Sequence, residues 1–286
     1  MRERISDRNI LPVFDLEAEY QKIHSLCFDT RAFGTYTAGG ISKTRPNISY
    51  NEALQDFFLS WSLRGSFTSI EEMLVELSIS EDDFVKNVTE DRVLDFIQFT
   101  LNAVYYINTV AESEKYMIYK ASDSIGKAIF QNCHYVADRL GTDIKKEKNE
   151  FFLVYKDDVA SAIGNQMPEL VESLTEYQKI DNRGNVIRKA EILCTLAKRL
   201  EPHEKSLCST EFKALCDDTT FLLNKAARHS LKESIPIEKI FLDMNKSEIE
   251  KWCDKTYKMF LGCMAVLPYI KYKSEIKEIK SACLST

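Results

Sequence analysis

What this chain of 286 residues lacks narrows its function faster than what it holds. None of its eight cysteines, Cys27, Cys133, Cys194, Cys208, Cys216, Cys253, Cys263 and Cys283, forms a C-x-x-C pair. A chain long enough to bury a sizeable core needs no disulfide staples, so the thiols are expected reduced, several of them on apolar helix faces. The four histidines, His24, His134, His203 and His229, lie too far apart for the paired spacing of a zinc site, and neither a metal nor a cofactor is expected. No apolar run reaches the ~20 residues that span a bilayer, and the opening MRERISDRNI has no apolar centre of a signal peptide. The expectation is a cytoplasmic protein without a membrane partner. No repeat period appears, which excludes a solenoid. An excess of basic charge is lacking too: a formal net charge of −6 argues against a general nucleic-acid coat and leaves room only for a local basic site. The rest, 44% hydrophobic and 29% charged, is ordinary for a globular chain.

What is present is helical periodicity. Asp15 caps a first helix with Leu16, Tyr20, Ile23 and Cys27 inward, and Thr89 caps a longer one carrying Val93, Phe96, Ile97 and Leu101. Ser69 with Glu72, and Asn245 with Glu248, read as capping boxes. Phe57, Phe58 and Trp61 share compact helical spacing, which predicts core packing rather than a base-stacking platform. Residues 30–49, rich in glycine and hydroxyl groups, read as an irregular loop; Gly39-Gly40 with Lys43-Thr44 lacks the Walker spacing of a phosphate cradle.

The run KKEKNE reads as a solvated linker, and Phe151–Tyr155 is the one good strand candidate, either paired with a strand in the 30–49 loop or standing alone as an extended plug. A helix from Asn182 to Leu200 is expected to yield to a turn at Arg199-Leu-Glu-Pro-His203, and a last helix to run from Lys246 to Leu267 before Pro268. The fold class is therefore all-α, a multi-helix bundle with room for one short strand or hairpin. Its organisation reads as an N-terminal helical region over 1–141, a connector over 142–156 and a C-terminal bundle over 157–286.

The functional reading is organised around EFKALCDDTTFLLNKAARH, Glu211–His229. Phe212, Leu215, Cys216, Thr219, Leu222, Leu223 and Ala226 make one apolar stripe, while Asp217, Asn224 and Arg228 fall together on the other side. The helix ends just after the Arg228-His229 pair. Arg228 and His229 are the candidate catalytic residues, with Asn224, Asp217 and Lys225 as binding groups. Arg199 and His203 form a second candidate pair.

Several phrases taken in order carry a resemblance: Phe57–Gly65 with Ser69–Leu77, Phe151–Asp158, Lys189–Leu200 with Glu201-Pro202, Leu222–His229 and Glu250–Lys258. Their order resembles a loose group of helical proteins, mainly from Gram-positive bacteria, some labelled abortive-infection-like. The most specific piece is Asn-x-x-x-Arg-His, here Asn224, Arg228 and His229. Such proteins are similar to HEPN bundles, four-helix domains that often cut RNA in bacterial defence. The HEPN signature sets its histidine four to six residues after the arginine; here Arg228 and His229 are adjacent, while Arg199 and His203 are four apart with Pro202 between them.

The resemblance implies a metal-free ribonuclease of bacterial defence or stress response. In that chemistry a ribose 2′-hydroxyl attacks its own phosphate, an imidazole moves the proton and a guanidinium stabilises the phosphorane. Adjacent helical residues point about 100° apart, so Arg228 and His229 converge on one phosphate only at a helix end, or as two pairs brought together in a homodimer. The plainer alternative has the same cations bonding the free carbonyls of a helix C-terminus. The chain is then a non-catalytic interaction module or sensor subunit for a partner protein. A third reading is a small-molecule binder with the 30–49 loop as a lid.

Overall fold

The computed structural model describes residues 14–28, 57–61, 68–69, 72, 75, 88–112, 123–224 and 244–284. Among these residues it is all-α apart from one short antiparallel hairpin. The chain divides into two compact units, Met1–Val154 and Tyr155–Thr286.

In the first unit, helix α1 (Leu16–Phe28) starts where the Asp15 carboxylate accepts the Ala18 amide at 3.1 Å. Helix α2 (Glu90–Glu112) starts where Thr89 accepts the Arg92 amide. Helix α3 (Asp123–Arg139) packs on both. Tyr20, Ile23 and Cys27 of α1, Phe96 and Ile97 of α2, and Ile129 and Cys133 of α3 are all buried. Phe57, Phe58 and Trp61 are buried as well, with Trp61 edge-on to Phe99 at 5.8 Å, so this aromatic set is core and offers no face for stacking bases.

The segment expected as a connector is the hairpin, β1 (Thr142–Glu147) and β2 (Glu150–Tyr155). The partner of the Phe151–Tyr155 strand is therefore the neighbouring charge run itself; residues 30–49 lie outside the described residues. Lysines and glutamates can form β1 because one face is wet. Lys146 lays its ammonium 3.9 Å from the Tyr105 ring centroid, and Lys148, at φ +54, turns the corner. Strand β2 buries Phe151 through Val154 on both faces.

The outer edge of β2 is closed by side chains of α2. The Phe151 amide donates to Asn102 Oδ1 at 2.7 Å, Asn102 Nδ2 donates back to the Phe151 carbonyl at 2.7 Å, and the Leu153 amide donates to Gln98 Oε1 at 2.9 Å. The fit is geometric: four helical residues rise about 6 Å and two strand residues about 6.6 Å. Gln98 and Asn102 thus meet alternate strand positions and satisfy groups that an edge strand leaves open.

In the second unit, α4 (Asp158–Gln166) is capped by Asp157, whose carboxylate accepts the Ala160 amide at 2.9 Å. The break expected at Met167-Pro168 is a 3-10 turn over Pro168–Leu170, leading into α5 (Val171–Gln178). Helix α6 (Val186–Cys208) is capped by Asn185, and α7 (Lys213–Leu222) follows a short turn. Helix α8 (Lys246–Leu284) opens on a reciprocal capping box: the Glu248 amide donates to Asn245 Oδ1 at 3.0 Å and the Asn245 amide to Glu248 Oε2 at 2.9 Å. The core joins Leu174 and Tyr177 of α5, Leu193, Leu196, Leu200 and Leu207 of α6, Cys216 of α7, and Tyr257, Phe260 and Met264 of α8.

Both helix ends expected at prolines are overturned. Helix α6 passes through Pro202 to Cys208, and α8 passes through Pro268 to Leu284. An interior proline costs about 3 kcal/mol. Burying Leu200 and Leu207 on either side of Pro202 returns about 1.5–3 kcal/mol each, while Pro202 itself faces solvent.

Candidate functional site

Arg228, His229 and Lys225 lie outside the described residues. Asp217 and Asn224 both line a cavity of about 300 Å³ between α6 and α7, together with Glu204, Cys208, Thr220 and Phe221. The Cys208 thiol donates to Asp217 Oδ1 at 3.4 Å, and the Thr220 hydroxyl donates to Glu204 Oε1 at 3.1 Å. Burial, with the adjoining Cys216 and the Asp217 carboxylate, pushes the Cys208 thiol up to about 11, so it stays protonated and unreactive at neutral pH. Among the described lining residues there are two carboxylates and no cation.

Arg199 and His203 stand one turn apart on an unbroken helix, Arg199 exposed and His203 half-buried. They belong to one edge of α6, while Glu204 and Cys208 belong to the other; adjacent helical positions differ by about 100°. The structure therefore does not bring the Arg199–His203 pair to the Asp217–Asn224 cavity. Of the remaining histidines, His24 stacks on Tyr20 and His134 lies beside Phe130.

A polar constellation that sequence reasoning passed over joins α5, α6 and α8. Lys189 is 6% exposed and donates to Glu250 Oε1 and Asp254 Oδ1, each at 2.8 Å. Tyr177 donates to the same Asp254 oxygen at 2.9 Å and stacks on Tyr257 with centroids 4.0 Å apart. Gly184, at φ +64, turns its amide onto Glu250 Oε1 at 2.7 Å, a conformation that a side-chain-bearing residue rarely adopts. Burial alone would lower the Lys189 pKa, but the hydrogen bonds it donates to the two carboxylates outweigh it and hold the ammonium above its ordinary value. Burial would likewise raise Glu250, yet Lys189 and the Gly184 amide keep it below the usual carboxylate range. Burial, reinforced by Asp254, drives the Tyr177 hydroxyl upward, and burial does the same to Tyr257.

Such groups hold their protons or charges fixed across neutral pH. The arrangement is a structural tie, not an acid–base pair. Two signals pointed to it: Lys189 occupies the apolar stripe of its helix with Ala190, Leu193 and Leu196, and Glu250 and Asp254 are four apart on another.

Among the described residues no group of three or more His, Cys, Asp or Glu side chains is placed to hold a metal, and no helix is long and apolar enough to cross a membrane. All eight cysteines are free thiols. Set against known protein families, curated proteins and solved structures, the chain matches none.

Proposed function

We propose that the protein is a non-catalytic helical interaction module that engages another helix through the far end of α8. One observation carries this reading. Tyr269, Tyr272, Ile276 and Ile279 are 46%, 55%, 44% and 62% exposed, at intervals of three, four and three residues. Every described side chain from Lys271 to Leu284 is exposed, so the helix leaves its own core and continues as an apolar stripe in water. A contiguous apolar face on a rigid helix is a binding surface, whereas scattered exposed residues are not. The charged cluster nearer the helix start, by contrast, is consumed by its own ion pairs.

The test is site-specific photo-crosslinking in cells, with p-benzoylphenylalanine at position 276 and, as control, at 187, where Ile187 on α6 is the more solvent-facing of the two at 69% exposed against 44%. A discrete crosslinked protein product at 276 and none at 187 is expected. Equal yields at the two positions would remove the reading.

A second reading, an RNA-binding or RNA-cutting effector of bacterial defence, draws support from the continuity of α6 through Pro202. That continuity sets an exposed guanidinium and a half-buried imidazole one helical turn apart on one edge of α6, residue types that suit a phosphate. It is checked by following growth and total RNA in bacteria expressing the chain, its Arg199→Ala/His203→Ala form and its Arg228→Ala/His229→Ala form. Intact RNA and equal growth in all three would end it.

A further inference from the structure

Resting on the interaction reading, we infer that the occupant of the α8 stripe is a second copy of this chain, joined as a parallel, in-register, two-stranded coiled coil over Tyr269–Leu284. The spacing comes first. Tyr269, Ile276 and Cys283 recur every seven residues, and Tyr272 and Ile279 fall three after the first two, giving the a and d positions of two heptads. All five are exposed on one continuous helix.

Charge then selects the partner and its direction. With this assignment the flanking e positions are Lys273 and Lys280, and the g position between them is Glu275. In a parallel pair each g residue faces the e residue five places on in the partner, which sets Glu275 of each copy against Lys280 of the other. An antiparallel pair aligns the e edges with each other and opposes lysine to lysine. Glu275 and Lys280 make no hydrogen bond or ion pair among the described residues, whereas Lys273 is held by Glu211 at 2.8 Å.

A free peptide of this length, about 24 Å as a helix, would not fold alone. Here the helix is already formed, because the same 39-residue element is anchored upstream by Phe260, Cys263 and Met264. Association therefore costs no helix nucleation.

Sedimentation of the full chain should give twice the monomer mass, and Ile276→Glu/Ile279→Glu should weaken dimerisation by about a hundredfold or more, since two charges would be buried in the seam. Unchanged far-ultraviolet circular dichroism in that variant, and an unfolding midpoint equal to that of the unsubstituted chain diluted until it is monomeric, exclude misfolding. Glu275→Lys should weaken the dimer, and Glu275→Lys with Lys280→Glu should restore it. Cys283 falls at an a position, so an in-register parallel pair faces thiol with thiol; added diamide should take two electrons and two protons from them and link the copies. Cys283→Ser should not link.

A chain that stays monomeric at about 100 µM, or a dimer indifferent to Ile276→Glu/Ile279→Glu, overturns the inference. So does a seam-dependent dimer that neither links through Cys283 nor responds to the charge exchange, since its register would not be parallel. A crosslink from position 276 to a protein of different mass would sink the self-pairing while leaving the interaction reading standing.

Discussion

The two units solve one problem, a polar group inside a packed core, with opposite chemistry. In the first unit the buried polar groups of α2 are neutral, and two of them, the amides of Asn102 and Gln98, close the open edge of β2. In the second unit the inserted group is an ammonium, Lys189, answered by two carboxylates. An amide clamp has no proton to lose, so its contribution is the same at any moderate pH. An ionic tie binds more strongly per contact, but protonation can dismantle it and its outer partners are screened by water. Similar helices can thus carry one buried polar tie that is indifferent to pH and another that responds to it. The two tryptophans make this measurable, because Trp61 lies in the first unit and Trp252 in the second.

The largest effect is expected from Asn102→Leu. It strips partners from the Phe151 amide and carbonyl, two buried backbone groups, at about 1–3 kcal/mol each. Denaturant unfolding followed at Trp61 should move strongly while the Trp252 transition stays in place. Lys189→Met should come next, at about 2 kcal/mol seen at Trp252. That figure is smaller than for a fully enclosed pair because Asp254 is 44% exposed and solvent screens it.

Acid should then separate the units. The folded pKa of Glu250 lies below its unfolded value of about 4.3, so its stabilisation is complete above that value and disappears as pH falls through the folded pKa. Lys189 works in the other direction: its folded pKa is raised above about 10.4, so its contribution holds below that value and is lost as pH climbs through the folded pKa. The stability gap between the unsubstituted chain and Lys189→Met should therefore be widest near pH 7 and narrow below about pH 4. A gap independent of pH would show that the tie acts through packing alone. The smallest effect is Lys148→Gly: relieving a left-handed residue in the hairpin turn should stabilise the first unit by about 0.5–1 kcal/mol, read as a shift in its Trp61 midpoint.

The caps at Asp15 and Asn245, and the stripes of α1, α2, α6 and α7, were legible in the chain because they depend on neighbours within one turn. What escaped reading depends on distant residues. Pro202 and Pro268 carry a strong local stop signal, yet leucines packed on either side of Pro202 outweigh it there, and no local rule contains them. The KKEKNE run looks like a linker until Tyr105 supplies a ring for Lys146 and β2 supplies a ladder. Asp217 and Asn224 line one cavity. The acidity of their cavity was not foreseeable, since Glu204 arrives from a different helix. Lys189 interrupts an apolar stripe, and only the acids of α8 explain why.

The match in rise between α2 and β2 has a consequence for how the hairpin is laid down. Because Asn102 and Gln98 read backbone groups two residues apart, a slip of the strand by one place would present them with groups pointing the wrong way. The helix thus acts as a template that proof-reads strand alignment, a task hairpins usually leave to their turn. The Lys148-Asn149 corner is released from that duty, and extra residues can be spliced into it without shifting the strand it joins.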